Sequence, residues 1–594
     1  MNASGKAWLR ALERTAPIEQ HRSQTLPWVI DELAERFECA PALVSREASF
    51  SYRQLAARSN RYARWTLSQN LAPGEVVCLL LPNCPEYLAA WIGLNRVGVV
   101  AALINTHLSG ETLAHAVNVA SPRALIVAPS LAGALQGART LIAPSVRCWS
   151  WGGDRETAGL ELAGLERELA GLADDPLTST ECRSPALEDP ALYIYTSGTT
   201  GLPKAALVSH LRLMQWSHWF AGLMDTQPSD RMYDCLPMYH SIGGVVAPGA
   251  TLLGGGTVIV RERFSAQEFW SDVVTERCTL FQYIGELCRY LLQSPPQPQE
   301  QRHSLRLCCG NGLRAEVWEA FQSRFRVPQI LEYYAATEGS FSLYNCEGRP
   351  GAIGRIPPFL NHRVSVVLIK VDPASGDPLR DADGRCTRCE PGEVGEAIGE
   401  LQDATGRARG RFEGYADRQA SQGKILRDVF AAGDAWFRSG DLMRQDAEGF
   451  FYFVDRAGDT FRWKGENVST TEVAAVIATF PGVRDAVVYG VGIPAAEGRA
   501  GMAAIVIDQT VKLEALRSHL ERRLPPYARP LFLRVVPALE RTGSFRLKKH
   551  ELAVQGYNPT TVSDPIYFDD RQGKSYVRLD APLCEQICRG AVRL

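Results

Sequence analysis

Thr196-Ser197-Gly198-Thr199-Thr200-Gly201-Leu202-Pro203-Lys204 follows the apolar run Leu192-Tyr193-Ile194-Tyr195, a strand-then-loop unit typical of α/β chains. The run has the length and the aromatic, branched character of a buried strand. The loop behind it offers four hydroxyls, two glycines and a terminal lysine. Glycines let the backbone approach a ligand, hydroxyls and N–H groups donate to phosphate oxygens, and a lysine neutralises the charge that grows as a phosphoanhydride breaks. The Walker A pattern G-x-x-x-x-G-K-[ST] does not fit, because Pro203 precedes the lysine and Ala205 follows it.

Toward the amino terminus, the pattern predicts a helix over 52–69, a strand over 76–81, a turn at Pro82-Asn83, a helix over 85–97 and a short strand over 124–128. Strands alternating with helices imply a parallel, helix-covered sheet. On the other side, strands at Val258-Ile259-Val260, 280–283 and 305–309 continue the alternation. Residues 345–422 are rich in Pro-Gly, Gly-Asp and Asp-Gly turns, which suit short strands and hairpins. Past Asp455 the apolar pattern restarts in small units: a helix over 471–479, strands over 483–491 and 503–507, and a helix over 513–524. The expectation is an α/β fold: a large multi-subdomain body over 1–455, with parallel sheets covered by helices plus a small β region, and a smaller mobile α+β domain over 456–594.

Composition narrows the partners. The 594 residues are 45% hydrophobic and 22% charged, which excludes disordered, collagenous and coiled-coil chains. Lys and Arg number 64 against 66 Asp and Glu, a net charge of −2, so neither nucleic acid nor another strongly charged macromolecule is indicated. A small anionic ligand remains compatible, since one loop of oriented N–H groups leaves those totals unchanged. Fifteen cysteines without an even framework fit a reducing compartment such as the cytoplasm. Cys386-x-x-Cys389 lacks a second ligand pair and is expected to be a surface loop rather than a zinc site, whereas Cys308-Cys309 belongs to a buried strand. Residues 1–28 place Lys6, Arg10, Arg14 and Arg22 among apolar residues, so they form an amphipathic leading helix and not a secretory signal. Residues 243–260 are free of charge for 18 positions but hold six glycines and Pro248, a helix-then-strand piece of core rather than a membrane span.

The loop at 196–204 resembles the phosphate signature of the adenylate-forming superfamily, which includes acyl-CoA synthetases, luciferases and the adenylation domains of peptide synthetases. Further segments resemble its other motifs in the same order. They are Leu236-Pro237-Met238-Tyr239-His240-Ser241-Ile242-Gly243 for the acyl pocket, Tyr333-Tyr334-Ala335-Ala336-Thr337-Glu338-Gly339 for adenine and magnesium, Phe437-Arg438-Ser439-Gly440-Asp441 for ribose, and Asp455-Arg456 with Lys464-Gly465 for the inter-domain hinge. The chemistry of the residues agrees with these assignments. Tyr334 can stack on an adenine face, Thr337 can donate to a phosphate, Glu338 is a hard oxygen ligand suited to Mg²⁺, and Asp441 can accept from two ribose hydroxyls.

Segments 282–292, Gly310-Asn311-Gly312-Leu313-Arg314, 455–468 and 556–576 are similar to signatures of the fatty-acid transport protein and very-long-chain acyl-CoA synthetase group. This resemblance, which runs from about Tyr52 onward, implies an ATP-dependent long- or very-long-chain fatty-acid CoA ligase. An acyl-AMP intermediate forms first, coenzyme A then takes the acyl group, and the small domain rotates about 456–459 between the two half-reactions. It assigns catalytic roles to Lys204, Glu338, His240 and Arg546, and magnesium ligation to Glu338 and Thr196. Nucleotide or coenzyme A contacts fall to Thr196, Ser197, Gly198, Thr199, Thr200, Gly201, Lys204, Gly310, Asn311, Tyr334, Thr337, Asp441, Arg456 and Lys464. Members of the group often carry an amino-terminal membrane segment and this sequence shows none, which implies a soluble or peripherally membrane-attached enzyme.

The adenylation lysine of the group lies in a Thr-Gly-Thr-Phe-Lys segment, and this chain reads Thr542-Gly543-Ser544-Phe545-Arg546-Leu547-Lys548-Lys549. A planar fork therefore replaces a compact ammonium; either Arg546 serves, or Lys548 or Lys549 moves in, or adenylation is slow. The small-residue run 243–250 leaves room for an alkyl chain or marks close helix packing, and Phe281, Tyr283 and Tyr290 have core spacing, with a purely structural role and an acyl-side role both open. His240 gates the acyl tunnel, orients the carboxylate, or is a hydrogen-bonded core histidine. A bile-acid or sterol side-chain acid, delivery of the acyl group to a carrier protein, and lipid uptake with weak catalysis are the competing readings.

Overall fold

Pro190–Ser197, the strand that leads into the phosphate-type loop, lies second in a seven-stranded sheet. The order is Pro203–Ser209, Pro190–Ser197, Val100–Leu103, Val76–Leu80, Ala124–Val127, Arg147–Ser150 and Ala163–Gly164. The first pair is antiparallel and all the others are parallel. Helices cover both faces, which is why the strands read as continuous apolar runs. Val77 and Leu79 enter one core with Trp65, Tyr87 and Trp91, while Val76, Cys78 and Leu80 enter another with Leu113, Val117 and Leu135. Helix Tyr52–Ser68 starts with a reciprocal cap, in which Ser51 Oγ accepts from the Gln54 N–H and the Gln54 side chain accepts from the Ser51 N–H.

The computed structural model describes residues 3–21, 24–152, 156–157, 160–182, 184–197, 202–372, 376–457, 459–464, 466–494, 496, 498–541, 547–592 and 594. Two units emerge, one of Met1–Ile356 with Arg411–Ile425 and one of Pro357–Gly410 with Leu426–Leu594. In the first unit the strands Ser342–Asn345, Ile330–Ala335, Leu307–Asn311, Leu280–Ile284, Arg231–Asp234, Thr257–Val260, Pro41–Val44 and Ser49–Ser51 follow one another in a second sheet, the first and last pairs antiparallel and the others parallel. The second unit holds the antiparallel strands Val366–Ile369, Val394–Gln402, Ala435–Gln445 and Phe450–Arg456. It also holds a five-stranded mixed sheet, from Val483–Gly492 to Ser575–Arg578, packed with helices such as Thr470–Ala478 and Leu513–Arg523. The architecture is α/β, with a smaller α+β carboxy-terminal portion.

Two sequence expectations need correction. The leading segment is two helices rather than one, Ala3–Thr15 and Leu26–Phe37, separated by a 3₁₀ turn at Ile18–Gln20. Pro17 ends the first, because it has no N–H to give the preceding turn, and Pro27 opens the second at a position where no N–H is needed. Cys386, expected on a surface loop, is buried in a small core with Ile369, Ile398, Val429 and Trp436, because its N–H bonds the Val429 carbonyl and turns the side chain inward. The charge-free stretch forms the π-helical turn Ile242–Val246, the helix Ala247–Leu253 and the strand Thr257–Val260. Among the described residues no helix is long and apolar enough to cross a membrane.

Candidate functional site

Strands Pro190–Ser197 and Pro203–Ser209 pair antiparallel, with Thr196 directly opposite Lys204. Residues opposite each other in such a ladder project from the same face, so the hydroxyl and the ammonium share one side of the sheet. Gly198, Thr199, Thr200 and Gly201, together with the Ser197 side chain, lie outside the described residues.

The segment after Gly410 returns to this hairpin. The Leu207 N–H donates to the Gly414 carbonyl and the Ala416 N–H to the Ala205 carbonyl, so Tyr415 lies beside the return strand. The Lys204 ammonium sits 5.8 Å from the centroid of the Tyr415 ring, within the range of a cation–π contact. The Tyr415 hydroxyl donates to Glu338 Oε1 at 2.6 Å. Glu338 is 8% exposed, so its carboxylate is largely withdrawn from water. Burial and the charge on Glu338 push the Tyr415 phenol above its ordinary range, which keeps it a donor.

Thr337 is held from behind. Arg212 Nη1 donates to the Thr337 carbonyl at 2.8 Å, and Arg212 Nε lies 3.6 Å from Glu413. Glu413 also accepts from the Ser209 N–H at 2.7 Å, at the start of helix His210–Met224. The Thr337 hydroxyl is 3.4 Å from Ser241 Oγ, so the structure brings the acyl-pocket motif and the Tyr-Tyr-Ala-Ala-Thr-Glu motif together. Tyr334 occupies strand Ile330–Ala335 half-buried, its ring 5.8 Å from Phe341.

His240 follows a turn clamped by Asn83, whose side chain donates to the Leu236 carbonyl and accepts from the Met238 N–H. Its ring packs on Tyr239 at 4.6 Å, and its carbonyl accepts from the Gly244 N–H, which starts the π-helical turn. Of the two readings of the small-residue run, the geometry favours packing. A Cβ on Gly244 would meet the Met238 carbonyl at 2.0 Å, and one on Gly249 would meet Ser217 Oγ at 2.2 Å. Phe281 and Tyr283 are fully buried, Phe281 against Phe269 at 4.7 Å, so both are core residues.

Gly310 and Asn311 end strand Leu307–Asn311, where Gly310 passes so close to Tyr283 that a Cβ would meet its carbonyl at 2.2 Å. Behind the turn, Glu332 accepts from the Leu313 N–H at 3.0 Å and from the Tyr283 hydroxyl at 2.5 Å. Burial pushes the Glu332 carboxyl up to about 8.

The remaining candidates lie in the second unit. Asp441 and Arg456 are cross-strand partners, with Arg456 Nε 3.6 Å from Asp441 Oδ1. Gly440 adopts φ +76, the left-handed conformation that favours glycine, and its N–H donates to Glu396 at 3.0 Å. Glu396 is fully buried and grips Arg438 with both oxygens, at 2.6 and 3.1 Å. Asp455 accepts from the backbone and hydroxyl of Thr470, each at 2.8 Å, which anchors the start of helix Thr470–Ala478. Lys464 stands at φ +52 between strands Phe461–Trp463 and Glu466–Val468. Arg546 lies outside the described residues. The two lysines after it are engaged: Lys548 pairs with Glu540 at 3.1 Å, and Lys549 with Asp459 at 2.8 Å and Thr470 at 2.9 Å.

Sequence reasoning missed Tyr415, Arg212, Glu413, Glu332 and Glu396. No local pattern singles them out: Arg212 lies in helix His210–Met224, Glu332 in strand Ile330–Ala335 and Glu396 in strand Val394–Gln402, and their partners are distant along the chain.

Comparison with known proteins places the site in context. The sequence model of the AMP-binding enzyme family matches residues 30–397, and that of the AMP-binding enzyme C-terminal domain matches residues 472–546. Long-chain fatty acid transport protein 1 of Mus musculus is 40% identical over 580 residues, covering 96% of this chain and 89% of that protein. Long-chain fatty acid transport protein 6 of Mus musculus is 39% identical over 551 residues, covering 92% and 87%. The solved structure of ATP-bound MatB from Rhodopseudomonas palustris shares the fold, with a TM-score of 0.72 at 23% identity over 89% of this chain and 99% of that one.

Proposed function

Because the chain belongs to the AMP-binding enzyme family, we propose that it is an ATP-dependent ligase that joins a long- or very-long-chain fatty acid to coenzyme A through an acyl-AMP intermediate. The observation that carries this reading is the cluster in which Thr196 and Lys204 face each other across the hairpin while Tyr415 ties Glu338 beside them. It offers one cation, one anion and a hydroxyl around a phosphate-type loop.

In the first half-reaction a fatty carboxylate oxygen attacks the α-phosphorus of ATP, and the bond to pyrophosphate breaks. Lys204 balances the charge that develops on the leaving phosphates, and the Thr196 hydroxyl donates to a phosphate oxygen. Glu338 and Thr196 would hold Mg²⁺. The donors fit the ion: Glu338 supplies a hard carboxylate, bonded at Oε1 by the Tyr415 hydroxyl, and Thr196 supplies a hydroxyl oxygen. A magnesium ion held there would supply withdrawal of charge from the breaking phosphoanhydride.

In the second half-reaction the coenzyme A thiolate attacks the acyl carbon and AMP leaves with the electron pair. We assign the body to residues 1–455 and the lid to 456–594, with rotation at Arg456–Asp459 and Lys464 lining the thiol's approach afterwards. Asp441 reads the ribose, Tyr334 and the Gly310–Asn311 turn hold the base, and His240 orients the acid. Arg546 supplies the adenylation cation, a role supported by the engagement of Lys548 and Lys549 elsewhere. A cytoplasmic setting goes with this reading and is supported by buried thiols such as Cys78, Cys288 and Cys309.

The test is incubation with ATP, Mg²⁺ and a panel of straight-chain, bile-type and sterol-type acids, with and without coenzyme A. AMP release that requires both a fatty acid and coenzyme A supports the proposal. Acyl-AMP that accumulates and transfers only to a carrier protein, preference for a ring acid, or binding without turnover each refutes it in favour of a different reading.

A further inference from the structure

Two groups of opposite charge serve the proposed adenylation site, Lys204 and Glu338, and one side chain touches both. Tyr415 is 6% exposed, donates its hydroxyl to Glu338 at 2.6 Å and presents its ring to the Lys204 ammonium at 5.8 Å. Its backbone is fixed on both sides. The Tyr415 N–H donates to Ser421 Oγ at 2.8 Å, and the neighbouring Gly414 and Ala416 bond to the strand that carries Lys204. The group that bonds Glu338 Oε1 is thus the Tyr415 hydroxyl, and the Lys204 ammonium is seated over the ring of that same side chain.

A lysine and a buried glutamate near one another would ordinarily pair, and each would then cancel the charge the other needs for a phosphate or a cation. A phenol between them engages both without changing either charge: its hydroxyl satisfies one carboxylate oxygen, and its ring attracts the ammonium through the quadrupole. We infer that Tyr415 is a positioning residue of the adenylation site, which holds Glu338 open for a divalent cation and Lys204 open for the nucleotide phosphates. The inference rests on the ligase reading above. It predicts that the two halves of the side chain separate by function, the hydroxyl acting on the cation and the ring acting on the phosphates.

The experiment uses the full chain and measures ATP binding by calorimetry, with and without Mg²⁺, for wild type, Tyr415→Phe and Tyr415→Leu. Tyr415→Phe keeps the ring and releases Glu338, so the factor by which Mg²⁺ tightens ATP binding falls about tenfold while affinity without Mg²⁺ stays within about twofold. Tyr415→Leu also loses the seat of Lys204, and affinity without Mg²⁺ falls as well, by about threefold or more. In a Glu338→Gln background Tyr415→Phe adds no further loss, because the two act on one contact. A merely structural tyrosine lowers the melting temperature and leaves the Mg²⁺ factor of the folded protein untouched, and that result for Tyr415→Phe overturns the inference. Should Tyr415→Leu fail to fold, the Phe variant alone decides. A wild-type protein that does not bind ATP overturns the ligase reading and this inference together, whereas wild-type binding with an unchanged Tyr415→Phe overturns only the role of Tyr415.

Discussion

Glu396→Gln tests how the proposed ribose motif is held. Glu396 is fully buried, takes a two-pronged grip on Arg438 and accepts from the Gly440 N–H, one residue before Asp441. The substitution keeps shape and volume and removes the charge. Breaking one partner of a buried ion pair costs about 3–5 kcal/mol, because the other charge is left in a low-dielectric site. Arg438 keeps 24% of its side chain exposed, so water recovers part of that, and a loss of about 2 kcal/mol is expected. At about 1.4 kcal/mol per tenfold this is roughly thirtyfold in the local opening equilibrium. Amide hydrogen exchange is the suitable assay, since a chain with two compact units need not unfold in a single step. Amides of Ala435–Gln445 that bond to Val394–Gln402 should exchange about thirtyfold faster, while those of the Leu307–Asn311 sheet stay at their wild-type rates. ATP affinity should fall in parallel, because Asp441 rides on the loosened turn. Exchange within about threefold of wild type would mean that the introduced amide or water satisfies Arg438 and that the buried charge does not organise the turn. Faster exchange with unchanged ATP affinity would detach Asp441 from the nucleotide.

Asp441→Ala should weaken ATP binding about tenfold by calorimetry and leave the melting temperature close to wild type, since the role proposed for it is a ribose contact rather than a core one; unchanged affinity removes it from the site. Glu332 carries a pH signature. Its carboxyl titrates at about 8 in the fold against an ordinary 4.5, so the native state keeps a proton that the unfolded chain has lost, and the stability this brings at acid pH fades as pH rises through that window. Glu332→Gln lacks the fading term, so its melting temperature should gain on wild type from about pH 5 to about pH 8; a constant difference across that range would show that Glu332 does not titrate there. Arg546→Ala should slow acyl-AMP formation about a hundredfold or more, with Arg546→Lys retaining part of the rate. Equal rates in all three proteins would make Arg546 a bystander.

The strands were legible because helices cover both faces of the parallel sheet, and a strand buried on both sides carries no polar alternation to confuse with a loop. Val76–Leu80, Ala124–Val127 and Leu280–Ile284 were read to within about a residue for that reason. Apolar spacing alone predicts a single leading helix because it does not register the missing N–H of Pro17. At 243–250 the sequence leaves two readings open, since glycine records an absence of side chain and does not say what fills the space; at Gly244 it is the Met238 carbonyl.

The α/β class, the order of the motifs and the residue types proposed for the nucleotide site were legible along the chain, because phosphate loops, caps and strand patterns act between near neighbours. The tertiary structure alone decided that Lys204 faces Thr196 across a hairpin and that Tyr415 reaches Glu338 from 77 positions away. It alone placed Glu413 on Ser209 across 204 positions and Glu396 on Arg438 across 42. Such pairs depend on sheet register and on which loop folds back over which strand. Those are fixed only when the whole unit packs, and no local preference of a tyrosine or a glutamate encodes them.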